Sequence, residues 1–452
     1  MTLTVIGGGP GGPKALEYPE ISESPRFTCA LGGAYGATLA TFGAVPILHS
    51  GAGCGMANAH GMTYASGLNS GGAQGTTTTP CSGLIEEHVV FGGEDKLRRL
   101  IGSTIKLMKG DLYVVISGCV PALIGDDVDS VVAEFKGQAP VIHVRTSGFA
   151  GNSYLGYNMY LDAVIDGLLE PPKAVEKRLV NILGIVPNQH VFWKGELRAI
   201  KALLEKIGVR ANTLFSDFGS IGTLKRIPEA SLNLVLNPFC GLAAARKLEG
   251  RFGTPFLDLN FAPVGPKDTG AFLRAVGRRL KVPARKVEAV IKEEERDLYR
   301  HMEYLAEMFM ISMPHAFTAF VGDSRTIIGL LRFGANELGI NPVLAVVTDD
   351  PPEEVRGTIS SLLTENLEGA IRPRVVYDYD AHRIRQALKE ETLQVILASS
   401  LEKYIAKSEN EAFHMSISYP VYDRLVVDRH YLGFRGGISL LEDMSLDFAG
   451  PL

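Results

Sequence analysis

Asp111-Leu-Tyr-Val-Val-Ile116, then Ser117-Gly-Cys-Val-Pro-Ala-Leu-Ile-Gly-Asp-Asp127, then a stretch with Val128, Val131, Val132 and Phe135 on one face decide the fold class. An unbroken apolar, β-branched run is a strand buried on both faces, and the i, i+3, i+4, i+7 spacing is an amphipathic helix. Pro140-Val-Ile-His-Val-Arg145 is the next strand. Working outward, the same alternation recurs in a second set: helix 196–208, strand run 232–236, helix 241–253 and strand 256–261. A third set has strand 316–322, helix 327–339, strand 342–350, then SSLLTENL (360–367), RVVYD (374–378) and QVILAS (394–399). Strands alternating with helices predict an α/β protein of three doubly wound, Rossmann-like domains with mostly parallel sheets. The expected division is an N-terminal extension 1–28, domain I 29–172, domain II 173–305 and domain III 306–452. Soft seams fall at EPPKAVEKR (170–178) and along the charged helix 287–310.

The 452 residues, 46% of them hydrophobic, fit three cores of ordinary size and exclude disorder. Basic and acidic residues number 45 and 50 and are spread without blocks, so neither nucleic acid nor an anionic membrane is an expected partner. There is no run long and apolar enough to span a bilayer, and MTLTVIGGGPGGPKALEYPE lacks a basic leader, so a cytoplasmic location is expected. Gly7-x-Gly9-x-x-Gly12 matches a dinucleotide fingerprint in form only, because Pro13 and Pro19 follow where a helix would have to begin.

From Cys29 to Gly93 the chain turns rich in Gly, Ala, Ser and Thr, residues that let backbone approach a bound object closely. The cysteines stand at 29, 54, 81, 119 and 240 with no C-x-x-C pair, so local spacing builds no zinc or ferredoxin-like site. Cys119 lies just past the carboxyl end of a buried strand, where open α/β sheets bind ligands, and Cys29 and Cys54 lie in glycine-rich runs. Asp126-Asp127 precedes the helix starting at Val128 and reads as an N-cap rather than an acid/base pair. The histidines show no metal-binding spacing, and there is no nucleophile elbow or Walker loop.

Three segments together resemble the component 1 proteins of nitrogenase: Cys29-Ala-Leu-Gly-Gly-Ala-Tyr-Gly-Ala37, His49-Ser-Gly-Ala-Gly-Cys54 with Glu86-Glu-His-Val-Val-Phe-Gly-Gly93, and Ser117-Gly-Cys119 through Asp127. Fainter similarity runs through Thr146–Gly151, Arg251–Pro255 and the tail Tyr419-Pro-Val-Tyr-Asp-Arg424 to Gly436. The resemblance implies that Cys29, Cys54 and Cys119 hold half of an interfacial [8Fe-7S] P-cluster shared with an alpha-type subunit. It also implies an α2β2 heterotetramer fed by an ATP-dependent homodimeric [4Fe-4S] reductase. Aligned on Arg251-Phe-Gly253, Asn237 falls where an alpha-type chain would carry its cofactor cysteine, and Cys240 is three residues away. The tail resembles the beta-type F-P-x-x-D-R, so the chain is expected to be beta-type, with the catalytic metallocofactor in the partner and no catalytic residue of its own. Leu84 and Ile85 are expected to dock the reductase. Cys81 matches no ligand of the family. Gly148 stands beside Phe149 where the molybdenum enzyme has a serine, and with the short N-terminus this resembles a nitrogenase-like reductase. Methylthio-alkane reductase, which cleaves C–S bonds of small thioethers, is the expected subtype. The alternatives are the beta subunit of a true nitrogenase and a cofactor-assembly scaffold.

Overall fold

The computed structural model describes residue 23 and residues 26–67, 79–215, 220–312 and 315–448. The N-terminal glycine motif and most of the SGLNSGGAQGTTTT stretch lie outside the described residues. Three sheets, every pairing parallel, account for the strands. The first has order β1 (Ala44–His49), β2 (Leu112–Ser117), β3 (Val141–Arg145). The second uses β4 (Glu176–Leu183), β5 (Arg210–Thr213), β6 (Ala230–Val235) and β7 (Phe256–Asp258) in the order β5-β4-β6-β7. The third uses β8 (Phe317–Gly322), β9 (Asn341–Val347), β10 (Arg374–Tyr377), β11 (Val395–Ala398) and β12 (Phe413–Ser416) in the order β10-β9-β8-β11-β12. In the second and third sheets the chain winds outward from β4 and β8 to both sides. The expected α/β class and its parallel sheets are therefore what the chain adopts.

The strands read from apolar runs form where expected, most within a residue or two, while β7 and β9 each end three residues short of the runs 256–261 and 342–350. Two strands hid in the sequence for physical reasons. Pro46 interrupts β1, yet Pro46 has the same parity as Leu48, whose N–H and C=O point away from β2 and bond to residues 80–82. On that outer side, a missing N–H breaks no ladder bond. β4 starts inside the polar seam 170–178: Glu176, Lys177 and Arg178 are at least partly exposed, and only Leu179–Leu183 are buried. β5 and β12, four residues each, also went unread.

One continuous apolar core joins the first and second sheets, through Leu31, Tyr35, Val114, Tyr154, Tyr157, Val180, Ile182 and Trp193. The third sheet has separate apolar clusters on its two faces. The C-terminal helix Gly433–Phe448 returns to pack on the helices Gly265–Arg279 and Ala284–Ser312.

Seven helices of the first block are named α1 (Ala30–Leu39), α2 (Ala52–Thr63), α3 (Glu86–Phe91), α4 (Glu94–Leu107), α5 (Cys119–Ile124), α6 (Val128–Ala133) and α7 (Ser153–Gly167). Between α1 and α7 the contact is backbone to backbone. A Cβ at Gly33 would sit 1.9 Å from the Ser153 carbonyl oxygen, and one at Gly156 would sit 2.0 Å from that of Ala30. Glycine at both positions is what lets the helices meet. Among the described residues, no helix is long and apolar enough to cross a membrane.

Candidate metal centre

Each relevant thiol is set by an element end. Cys29 is the N-cap residue of α1 and bridges antiparallel to Asn152. Ala30 N–H donates to Gly151 O (2.9 Å) and Ser153 N–H to Thr28 O (2.8 Å), so the start of α7 holds Cys29 in place. Cys54 follows the carboxyl end of β1 through Ser50 and Gly51, and its N–H donates to Gly51 O at 3.2 Å. Cys119 opens α5 just past β2, where Gly118 N–H donates to His49 O at 2.9 Å. Gly118 has no room for a side chain, since a Cβ would lie 2.9 Å from Ser50 Cβ and 3.2 Å from Leu31 Cδ1. The Cys54 and Cys119 loops are thereby pressed together.

Gly148 joins the third thiol to this pair. Its N–H donates to Cys119 Sγ at 3.0 Å, and a Cβ there would lie 3.0 Å from Cys119 Sγ and 3.9 Å from Cys29 Cβ. Burial is the main cause pushing the Cys54 thiol up; the Ser50 hydroxyl offsets it in part, and the neighbouring thiols of Cys29, Cys119 and Cys81 push the same way. The structure thus gathers Cys29, Cys54 and Cys119 into one neighbourhood. Cys29 is exposed, and Cys54, Cys81 and Cys119 are half-buried.

Cys81 was not read as part of this group. It bridges in parallel to Leu48, which places it beside the end of β1, and its Sγ lies 3.9 Å from Ser50 Oγ. Nothing local in its Thr/Pro-rich loop announces this; only the return of residues 80–82 to β1 does. Cys240 is the exception. It is fully buried in the core under the second sheet, its Sγ 3.7 Å from Tyr154 O, and burial pushes its thiol well up. Asn237 is also buried, its Oδ1 accepting from the N–H groups of Phe239 (3.0 Å) and Cys240 (2.8 Å).

Behind the thiols runs a hydrogen-bonded polar chain. His49 is buried, with Nε2 3.0 Å from Asp126 Oδ2 and Nδ1 3.1 Å from Ser82 Oγ. A carboxylate only accepts, so Nε2 carries the proton, and burial pulls the imidazole below its usual range. Asp126 Oδ1 accepts from Gly93 N–H at 2.9 Å, while Asp127 caps α6 by accepting from Ser130 N–H at 3.1 Å. The adjacent carboxylates therefore divide: Asp127 is the expected cap, and Asp126 holds His49. His143, depressed mainly by burial, links Ser117 Oγ (2.8 Å) to Asp129 Oδ1 (2.8 Å).

Of the two expected docking residues, Leu84 turns into the protein. That side chain is buried, 8% exposed, and would touch a Cβ at Gly93 at 3.0 Å, because Leu84 N–H donates to Ser50 O (3.0 Å) and turns the residue inward. Ile85 is 53% exposed, and beyond it Val89, Val90 and Phe91 on α3 and Leu123 on α5 form an exposed apolar surface. Phe149 is likewise exposed.

Chemically, half-exposed thiols with amide N–H donors and glycine-lined backbone suit soft iron bound as thiolate–iron–sulfide. Among the described residues, no three His, Cys, Asp or Glu side chains are close enough to hold one metal ion.

The family model for nitrogenase component 1 type oxidoreductases matches residues 29–448. The chain belongs to that family. Among relatives of this component 1 protein, the nitrogenase molybdenum-iron protein beta chain of Clostridium pasteurianum is 25% identical over 460 residues, covering 95% of this chain and 94% of its own length. The nitrogenase iron-molybdenum cofactor biosynthesis protein NifE of Bradyrhizobium diazoefficiens is 24% identical over 397 residues, covering 85% of this chain and 68% of its own. A solved structure of nitrogenase Cp1 at pH 6.5 superposes with a TM-score of 0.77 at 21% identity, covering 96% of this chain and 95% of that one.

Proposed function

We propose that this component 1 protein is the beta-type subunit of a nitrogenase-like reductase, in which Cys29, Cys54 and Cys119 hold this chain's half of an [8Fe-7S] cluster shared with an alpha-type subunit. The observation that carries the reading is the convergence of these thiols from three element ends onto one solvent-facing patch, with Gly148 N–H directed at the Cys119 sulfur. Bound there, such a cluster accepts and passes on single electrons. The chain's own part is to supply deprotonated thiolates, to direct amide donors at sulfur and to keep the backbone close, the features that tune a cluster's potential. His49, held neutral between Asp126 and Ser82, fixes the Ser50 loop through Ser82 Oγ, which accepts from Ser50 N–H at 3.0 Å. An ATP-dependent [4Fe-4S] reductase is the proposed electron donor, docking on the surface of Ile85 and α3. The catalytic metallocofactor is assigned to the alpha-type partner, and the reaction to reductive C–S cleavage of small thioethers, in keeping with the glycine at 148.

A cofactor-assembly scaffold is the second reading, favoured by the likeness to NifE. The beta-chain reading fits better, since the match runs end to end with the Clostridium beta chain and covers 68% of the Bradyrhizobium NifE. The test is anaerobic purification with the partner, iron counting and thioether turnover. About eight irons per heterodimer for the shared cluster, plus those of the partner's iron–sulfur cofactor, with turnover supports the reductase; about four without turnover supports the scaffold. A colourless, iron-free complex refutes both.

A further inference from the structure

The residues that gather Cys29, Cys54 and Cys119 bring one more sulfur with them. Ser50 is the pivot. Its backbone follows β1, its Cβ packs against Gly118 beside Cys119, and its hydroxyl is hydrogen-bonded to the Cys54 thiol and lies 3.9 Å from Cys81 Sγ. Cys81 is held there by two strand-like bonds on the outer side of β1: Leu48 N–H to Pro80 O and Ser82 N–H to Leu48 O, both 2.8 Å. Its sulfur is 3.7 Å from Ser50 O and accepts from Gly83 N–H at 3.4 Å, the same kind of amide contact that Gly148 makes to Cys119. Gly83 has φ +54, and nothing lies within 4 Å of its Cβ position. Cys240, the one cysteine outside this neighbourhood, is sealed in the core with its Sγ 3.7 Å from Tyr154 O.

We infer that Cys81 is a fourth metal-ligating thiol of this chain, so that four sulfurs of a single subunit face the cluster position. This deepens the cluster reading above and rests on it. In the ligation step the Cys81 S–H bond breaks, its proton goes to solvent and a sulfur–iron bond forms; no electron changes hands.

The test uses the anaerobically purified heteromer. Iodoacetamide labelling of each cysteine, read by peptide mass spectrometry, is compared before and after iron is stripped with a chelator under conditions that keep the subunits together. Iron content and the electron paramagnetic resonance spectrum are measured for wild type, Cys81→Ala and Cys81→Ser. Expected is labelling of Cys81 at least tenfold slower with iron than without, in step with Cys29, Cys54 and Cys119, and an altered spectrum in both variants. Three results overturn the inference while leaving the three-cysteine reading intact: Cys81 labelling that iron does not change while the other three are protected, protection of Cys81 that persists after stripping, or wild-type iron and spectrum in both variants. A heteromer that carries no iron as purified, with all four thiols labelled at the same rate before and after chelation, overturns the cluster reading itself.

Discussion

Gly156→Ala tests how the site is positioned. The new Cβ would lie 2.0 Å from Ala30 O and 2.8 Å from Ala30 C, atoms of the neighbouring helix backbone that no rotamer change can move. Bringing the closest contact to 3.0 Å requires α1 and α7 to part by about 1 Å, which loosens Leu31 and Tyr35 on one helix and Tyr154, Tyr157 and Tyr160 on the other, all at most 2% exposed. Overpacking costs about 1–3 kcal/mol where side chains can adjust and more where they cannot, whereas alanine's helix propensity returns roughly 1 kcal/mol. With both atoms in helix backbone the cost falls at or above the upper end of that range, leaving a net loss of about 2 kcal/mol or more. Gly250→Ala and Gly357→Ala are matched helical controls. Their Cβ atoms meet nothing within 4 Å, so each is expected to gain up to about 1 kcal/mol. The assay is urea unfolding of the three variants followed by circular dichroism, with iron content measured alongside, since Cys29 is held by the same helix junction. A Gly156→Ala protein as stable as the Gly250→Ala control refutes the claim that the two backbones touch.

Cys54→Ala and Cys119→Ala are each expected to lower iron content and loosen the heteromer, whereas Cys240→Ala leaves iron unchanged at a cost of about 1 kcal/mol for a small cavity; iron assay and gel filtration read both. Leu84→Ala is expected to lose about 2–4 kcal/mol in denaturant unfolding, and exposed Ile85→Ala to stay within about 0.5 kcal/mol. Asp349 is buried beneath Ser324, with Oδ1 unpartnered, and burial pushes its carboxyl up to about 7. The folded state therefore keeps a proton that the unfolded chain releases above its ordinary value of about 4, so this group's contribution to stability falls as pH rises from about 4 to about 7. Asp349→Asn is expected to be more stable than wild type at pH 8, by at most about 4 kcal/mol, and equal to it at pH 4. Thermal melts across that range with no divergence between the two proteins would count against the assignment.

The sheets could be read wherever burial on both faces forces an apolar run, as in β2, β6, β9 and β11. They could not be read where one residue's parity matters, as for Pro46 in β1, or where only half a strand is buried, as in β4. The same limit governs the site. Cys29, Cys54 and Cys119 stood out because glycine-rich flanks and the end of a buried strand mark them locally. Cys81 carries no such mark, since its place depends on residues 80–82 closing onto Leu48. The burial of Leu84 was likewise not legible, because an offset of seven from Phe91 fixes a distance along the chain but not which way a side chain turns.

Cys29 owes its position to a bridge with Asn152, more than a hundred residues downstream, and Cys119 owes its position to a glycine laid on the end of a strand formed long before it in the chain. No stretch emerging early from the ribosome can therefore assemble the sulfur set by itself. On the proposed cluster reading, iron is delivered after α7 has closed against α1, to a finished subunit presenting an open thiol face.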